Sequence, residues 1–121
     1  MAEARLEVAI EDILEQSGFE AALLTDLEAN ILASVQAKTT APDAASILLQ
    51  VATQLAARDE DRVRLAEQGE SEFFDWEGRR VVCRWIEARK PAVLVVLVPK
   101  AKSYKWAVGR MVKEVQRLIG R

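Results

Sequence analysis

Apolar residues at Leu6, Ile10, Ile13 and Leu14 recur with helical spacing, and Glu3, Glu7, Glu11, Asp12 and Glu15 occupy the remaining faces, so the chain opens on an amphipathic helix. Gly18 follows the last periodic turn. A glycine there can take the left-handed conformation that closes a helix, with Phe19 folding back onto the final turn. The pattern then changes: residues 19–24 and 31–35 are of strand length, and TDLEAN between them supplies turn-forming Asp and Asn, which predicts a β-hairpin. Thr40 and Asp43 have capping-box spacing and Pro42 suits a first turn, so a helix is expected over about residues 42–58. The charged stretch RDEDRVRLAEQGE either extends that helix or forms a solvated connection ending near Gly69.

Residues 71–76 (SEFFDW) and 79–86 (RRVVCRWI) are rich in aromatic and branched side chains, and Glu77-Gly78 between them predicts a tight hairpin. Residues 92–98 are apolar at every position, so both faces of that strand must be covered, at the centre of a sheet. Tyr104, Val108, Met111, Val112, Val115, Leu118 and Ile119 then form one apolar face with Lys105, Arg110, Lys113 and Arg117 outside it, the signature of a closing amphipathic helix. The predicted order is α-β-β-α-β-β-β-α. Hairpins force antiparallel neighbours, and the buried strand joins the two strand groups, giving an α+β fold with one five-stranded antiparallel sheet sandwiched between helices, a single domain over residues 1–121. No internal repeat or linker is evident.

Composition narrows the function. With 121 residues, half of them hydrophobic, the chain can build one core that buries roughly two-thirds of its unfolded surface. Lys and Arg total 17 against 19 acidic residues, so the net charge of -2 implies neither nucleic acid nor an anionic membrane as partner. The longest apolar run, AVLVVLV, is too short to span a bilayer, and the N-terminal stretch is acidic rather than signal-like. Cys83 is the only cysteine, which excludes an internal disulfide and a cysteine-rich zinc site and fits the cytoplasm.

The absence of histidine removes the commonest general base and metal ligand, and no phosphate loop, dinucleotide fingerprint or nucleophile elbow is present. No enzyme activity, cofactor or metal is expected. Asp26 and Glu28 read as turn formers, and Asp59, Glu60 and Asp61 as a solvated run. Cys83 reads as a small hydrophobe on one strand face with Val81 and Trp85, and Trp76 and Trp85 as sheet packing. The basic residues from Lys100 to Arg121 form the wet side of the last helix, or a contact for an acidic partner.

The 42–58 helix has more apolar surface than a monomer needs. Ala44, Ile47, Leu48, Val51 and Leu55 fill a core stripe, and Ala45, Leu49, Ala52 and Ala56 make a second line beside it. Small residues permit close helix approach, so this line, with Thr53, predicts a homodimer seam, and Phe73 and Phe74 on strand 71–76 are expected to pair across the axis. Gln50, Gln54 and Arg58 then form a polar rim available to a further partner.

GFEAALLTDLEANILAS resembles the first hairpin of the Roadblock/LC7 family, LLQVATQLAARDE its alanine- and leucine-rich second helix, and AVLVVLVPKAKSYKWAVGRMVKEV its last strand and helix. The resemblance spans nearly the whole chain. Family members commonly carry glycine where Ala29 stands, so Asn30 is expected to supply the left-handed turn residue. The resemblance implies a noncatalytic module that dimerises through its second helix and third strand and works with small Ras-like GTPases, like the MglB-type polarity regulators, or as a dynein light chain of the roadblock type. A small-ligand-sensing profilin- or longin-like domain is the alternative.

Overall fold

The computed structural model describes residues 2–38, 43–75, 77–100 and 102–120. Helix α1 (Ala2–Ser17) buries Leu6, Ile10, Ile13 and Leu14. It closes in a Schellman motif: Gly18 has φ +72°, its N–H donates to the Glu15 carbonyl at 3.2 Å, and the Phe19 N–H donates to the Leu14 carbonyl at 3.1 Å. Phe19 therefore belongs to the helix exit, and strand β1 (Ala21–Asp26) starts two residues later than its apolar pattern suggests. It turns into β2 (Ile31–Gln36) through a loop in which Ala29, at φ 66°, is the left-handed residue. This corrects the expectation for Asn30, whose backbone and side-chain N–H groups instead donate to the Asp26 carboxylate.

Helix α2 (Ala44–Ala57) begins from an N-cap at Asp43; Thr40 and Pro42, expected to start it, lie outside the described residues. The charged stretch beyond it is helical, as α3 (Asp59–Gln68), separated from α2 by Arg58 in an extended conformation at φ −126°, ψ 104°. Arg62 stabilises the break. Its guanidinium donates to the carbonyl of Ala56 at the end of α2 and, at 3.1 Å, to that of Leu55, which also accepts the Arg58 N–H, and it pairs with Asp59 as well. Asp59, Glu60 and Asp61, read from sequence as a solvated run, occupy the first turn of α3, where a helix dipole favours carboxylates.

Strand β3 (Glu70–Phe74) is shorter than its 71–76 expectation, because Asp75 leaves the ladder to build the turn, and Trp76 lies outside the described residues. The turn is also wider than the two-residue turn expected: Asp75 and Arg79 close three intervening residues, with Gly78 left-handed at φ +83°. Strands β4 (Arg80–Ile86) and β5 (Ala92–Val98) follow, then α4 (Lys105–Ile119), for which buried Tyr104 is the N-cap.

The five strands form one antiparallel sheet in the order β2-β1-β5-β4-β3. β5 is buried at every residue, as its unbroken apolar run requires. Strand alternation divides the core in two. Ala22, Leu24, Val82, Ile86, Leu94 and Val96 pack under α1 and α4, whereas Ala21, Leu23, Val81, Cys83, Val93 and Val95 pack under α2 and α3. The predicted sandwich is thus observed, with a further helix, α3, between α2 and β3. Among the described residues no helix is long and apolar enough to cross a membrane.

Candidate interaction surface

Strand β3 is an edge of the sheet, paired on one side with β4 and open on the other. Such an edge presents a row of unpaired backbone groups that natural proteins usually blunt or cover. Here it carries two large apolar side chains, Phe73 and Phe74, which are 42% and 60% exposed. They point to opposite faces. Phe73 and Ser71 lie on the α2/α3 side, lining a cavity of about 210 Å³ whose walls include Val51, Leu55, Leu65 and Cys83. Burial pushes the Cys83 thiol up to about 12, against the opposing pull of a hydrogen bond with Ser71, so this wall is a hydrophobe and not a nucleophile.

On the other face, Arg80 stacks its guanidinium over the rings of Phe74, at 5.2 Å, and Tyr104, at 5.1 Å. The Tyr104 hydroxyl donates to Glu72 and approaches Glu70 at 3.4 Å. Burial, the Glu72 hydrogen bond and both carboxylates push its ionisation upward, so it remains a donor.

The helix residues expected at the seam are only partly where the pattern put them. Ala45, Leu49 and Thr53 are exposed on α2, and Ala56 is half-buried. Ala52 is buried against the sheet together with Leu48 and Val51, which removes it from the outer line. At about 100° per residue, Ala52 stands closer to Leu48 than to Leu49, on the margin of the core stripe. Thr53 satisfies its own hydroxyl by donating to the Leu49 carbonyl at 2.8 Å. α2 packs over β1 and β5, whereas α3 overlies β3 and β4, so the helix surface beside the open edge belongs to α3, which exposes Val63. Gln50, Gln54 and Arg58 are exposed; Gln54 rims the cavity with Asp61 and Arg64, and the Arg58 Nε lies 3.5 Å from the Asp61 carboxylate.

Sequence reasoning missed the group that holds this surface in place. Arg79 is almost wholly buried, with Nε 2.7 Å from Asp75 and its remaining nitrogens 3.3 Å from Asp43, 3.3 Å from Glu77 and 3.6 Å from Glu20. One guanidinium therefore ties the β3–β4 turn to the start of α2 and the entry to β1. Burial alone would lower the Arg79 pKa and raise that of Asp75, but their hydrogen bonds to one another and to nearby groups win, so Arg79 is raised and Asp75 is lowered. The signal available in the sequence was a likeness between two five-residue stretches, DLEAN and DWEGR, whose shared Asp and small fourth residue mark two hairpin loops of one design.

A second exposed feature lies on the opposite helix layer. Trp106 is 74% exposed, with Arg110 stacked on it at 5.0 Å, and a groove of about 690 Å³ lies between α1 and α4, lined by residues that include Val8, Ile13 and Leu118.

No protein-family model and no curated protein matches the sequence. Solved structures do match the fold. The gliding protein MglB from Thermus thermophilus superposes with a TM-score of 0.76 at 22% identity, covering 98% of this chain and 90% of that one. MglB from Myxococcus xanthus superposes with a TM-score of 0.71 at 11% identity, covering 98% and 93%. A Roadblock/LC7 domain from Streptomyces avermitilis superposes with a TM-score of 0.65 at 10% identity, covering 93% and 92%.

Proposed function

On the Roadblock/LC7 fold that this chain adopts, we propose that it works as a noncatalytic homodimeric scaffold, which binds a small Ras-like GTPase in the cytoplasm and modulates its nucleotide state or localisation. The open β3 edge carries this reading: a strand left open along one side, with two exposed phenylalanines, is a template for a second strand, and a second copy is the partner always at hand. Ala45, Leu49, Thr53 and Ala56 on α2 extend the surface with small and apolar groups. A stable dimer of this kind buries on the order of 1,500 Å² in total. Gln50, Gln54 and Arg58 are the polar groups left to meet the GTPase.

A GTPase changes shape chiefly in the switch loops that its γ-phosphate orders, so a scaffold touching those loops binds one nucleotide state preferentially. Arg58, exposed at the α2–α3 elbow, is the candidate for an arginine supplied in trans to the transferring phosphate. Sedimentation equilibrium tests the dimer, and a strict monomer at micromolar concentration rejects it. Titration of the cognate GTPase loaded with GDP or with a nonhydrolysable GTP analogue tests the switch. State-selective affinity is expected, whereas equal affinities leave only a tethering role, because a ligand shifts an equilibrium only by its differential affinity.

The cavity under Cys83 favours a second reading, a small-ligand sensor, since it is walled by apolar groups with Gln54, Asp61 and Arg64 at its rim. Reproducible thermal stabilisation by one metabolite, with no response to any GTPase, selects it.

A further inference from the structure

We infer that the outer ridge of α4, with Trp106 at its head, docks this protein on an anionic lipid surface. The inference goes beyond the scaffold reading and does not require the dimer.

Charge is segregated along the chain. Residues 100–117 hold six Lys and Arg and a single acid, Glu114, so the net charge of -2 belongs to a basic segment set against an acidic remainder. The fold turns that segment outward. Ala107, Val108, Met111, Val112 and Val115 bury one side of α4 in the core. At about 100° per residue, Trp106, Arg110, Lys113 and Arg117 fall within about 60° of one another on the opposite side. Among the described residues Trp106 is the most exposed large hydrophobic side chain. Arg110 lies over its ring and donates to Gln16 at 3.3 Å, which holds both side chains beside α1. Arg117 pairs with Glu114 at 2.7 Å, whereas Lys105 and Lys113 make no ion pair among the described residues.

Neighbouring elements extend the patch. The β4–β5 loop brings Arg89 into a cleft with Lys113 and Arg117, and Gln116 holds that loop by donating to the Glu87 carbonyl at 3.1 Å. On the other flank, Arg5 and Asp12 of α1 line the groove shared with α4, while Glu7, Glu11 and Glu15 stand outside it. The carboxylates of Asp12, Glu87 and Glu114 are thus outnumbered by the cations around them.

The shape and chemistry of the ridge favour a bilayer over an acidic protein. A cluster of roughly four to eight Lys and Arg on an amphipathic helix matches the negative surface potential of an anionic leaflet. An indole is favoured at the headgroup level, where its apolar ring and its N–H both find partners. Trp106 also projects outside the groove between α1 and α4, so a protein partner would need a pocket for it and a headgroup layer would not. The apolar side of α4 stays in the core, so the contact is adsorption without insertion of the helix. A docked chain presents α2 and α3 to the solvent, because they lie on the opposite face of the sheet.

The test is co-sedimentation of the full chain with vesicles of phosphatidylcholine alone, or of phosphatidylcholine mixed with phosphatidylglycerol. Binding to the mixed vesicles only is expected, falling as salt rises, with a blue shift of tryptophan emission that Trp106→Phe abolishes. Lys113 is exposed and unpaired among the described residues, so its loss changes charge without disturbing the fold. Lys113→Gln should weaken binding roughly fivefold, and Arg110→Gln, Lys113→Gln and Arg117→Gln together about a hundredfold. Lys38→Gln, beyond the end of β2, should leave binding unchanged. No binding at low salt overturns the inference, as does equal binding to neutral vesicles or equal weakening by Lys38→Gln. Polyglutamate bound as tightly as the mixed vesicles, with Trp106 emission unmoved on lipid, assigns the ridge to an acidic protein segment and overturns it too.

Discussion

Asp26 and Asp75 do the same work in two hairpins. Each Oδ1 accepts two backbone N–H groups across its loop, from Glu28 and Asn30 in the first and from Glu77 and Arg79 in the second, at 2.8–3.0 Å. The fourth residue of each loop is left-handed, and here the two differ: Gly78 adopts φ +83° freely, whereas Ala29 is held at φ 66° against its own Cβ. Ala29→Gly is therefore expected to stabilise the fold by about 1 kcal/mol, read as a higher urea midpoint at unchanged slope, because relief of strain exceeds the added freedom of the unfolded chain. Acid sensitivity follows from the same aspartates. Burial pushes the carboxyls of both up, but the Asn30 and Arg79 side chains and the loop N–H groups outweigh it and hold both below their ordinary value. A depressed folded pKa contributes stability in full above the unfolded value of about 3.9, and that contribution is lost as pH falls through the folded value. Asp75→Asn should accordingly be less stable at pH 7, yet lose less stability than wild type between about pH 5 and pH 2, by urea unfolding across the series.

At the scale of elements, the α2–α3 elbow and the Arg79 cluster decide where the exposed surface points. Asp43 makes no side-chain bond to its own helix; its carboxylate goes to Arg79, so the start of α2 is set by a residue 36 positions away. Removing the guanidinium would leave the buried Asp75 carboxylate without its cation. Arg79→Ala is expected to cost about 3–5 kcal/mol in urea unfolding, and Arg79→Lys to recover only part of it, since one ammonium cannot reproduce the fork that reaches several carboxylates. The cost of the alanine variant should fall sharply if Asp75 is replaced by Asn in the same chain, because the uncompensated charge is then gone.

For the whole molecule, association and stability are linked. A partner that binds only the folded chain raises its apparent stability by mass action, so the thermal midpoint of the wild type is expected to climb with protein concentration over the micromolar range. Leu49→Asp places a charge in the exposed apolar line of α2. It should abolish that concentration dependence while leaving the far-ultraviolet helix signal unchanged, because Leu49 points away from the core. A midpoint independent of concentration in the wild type, measured by differential scanning calorimetry, counts against the dimer.

Periodicity alone carried the element order, the antiparallel sheet and the central place of residues 92–98, because each depends only on local spacing and on the rule that apolar faces must be covered. The Schellman exit at Gly18 was legible for the same reason: it is local. What pattern could not reach was set by contacts between distant segments. The break at Arg58 is stabilised by Arg62 capping a helix that ends before it, Ala52 is buried because the sheet presses on α2 from a direction that spacing leaves open by a few tens of degrees, and Ala29 rather than Asn30 turns left-handed because Asn30 is held by Asp26. The Arg79 cluster gathers Glu20, Asp43, Asp75 and Glu77 from three parts of the chain, so only tertiary structure could show that the first of two adjacent arginines after a turn is a buried lock. The exposed edge was half legible: two phenylalanines in a strand announce burial somewhere, and the fold decides that the described residues leave much of Phe74 and a smaller part of Phe73 uncovered, because β3 is last in the sheet.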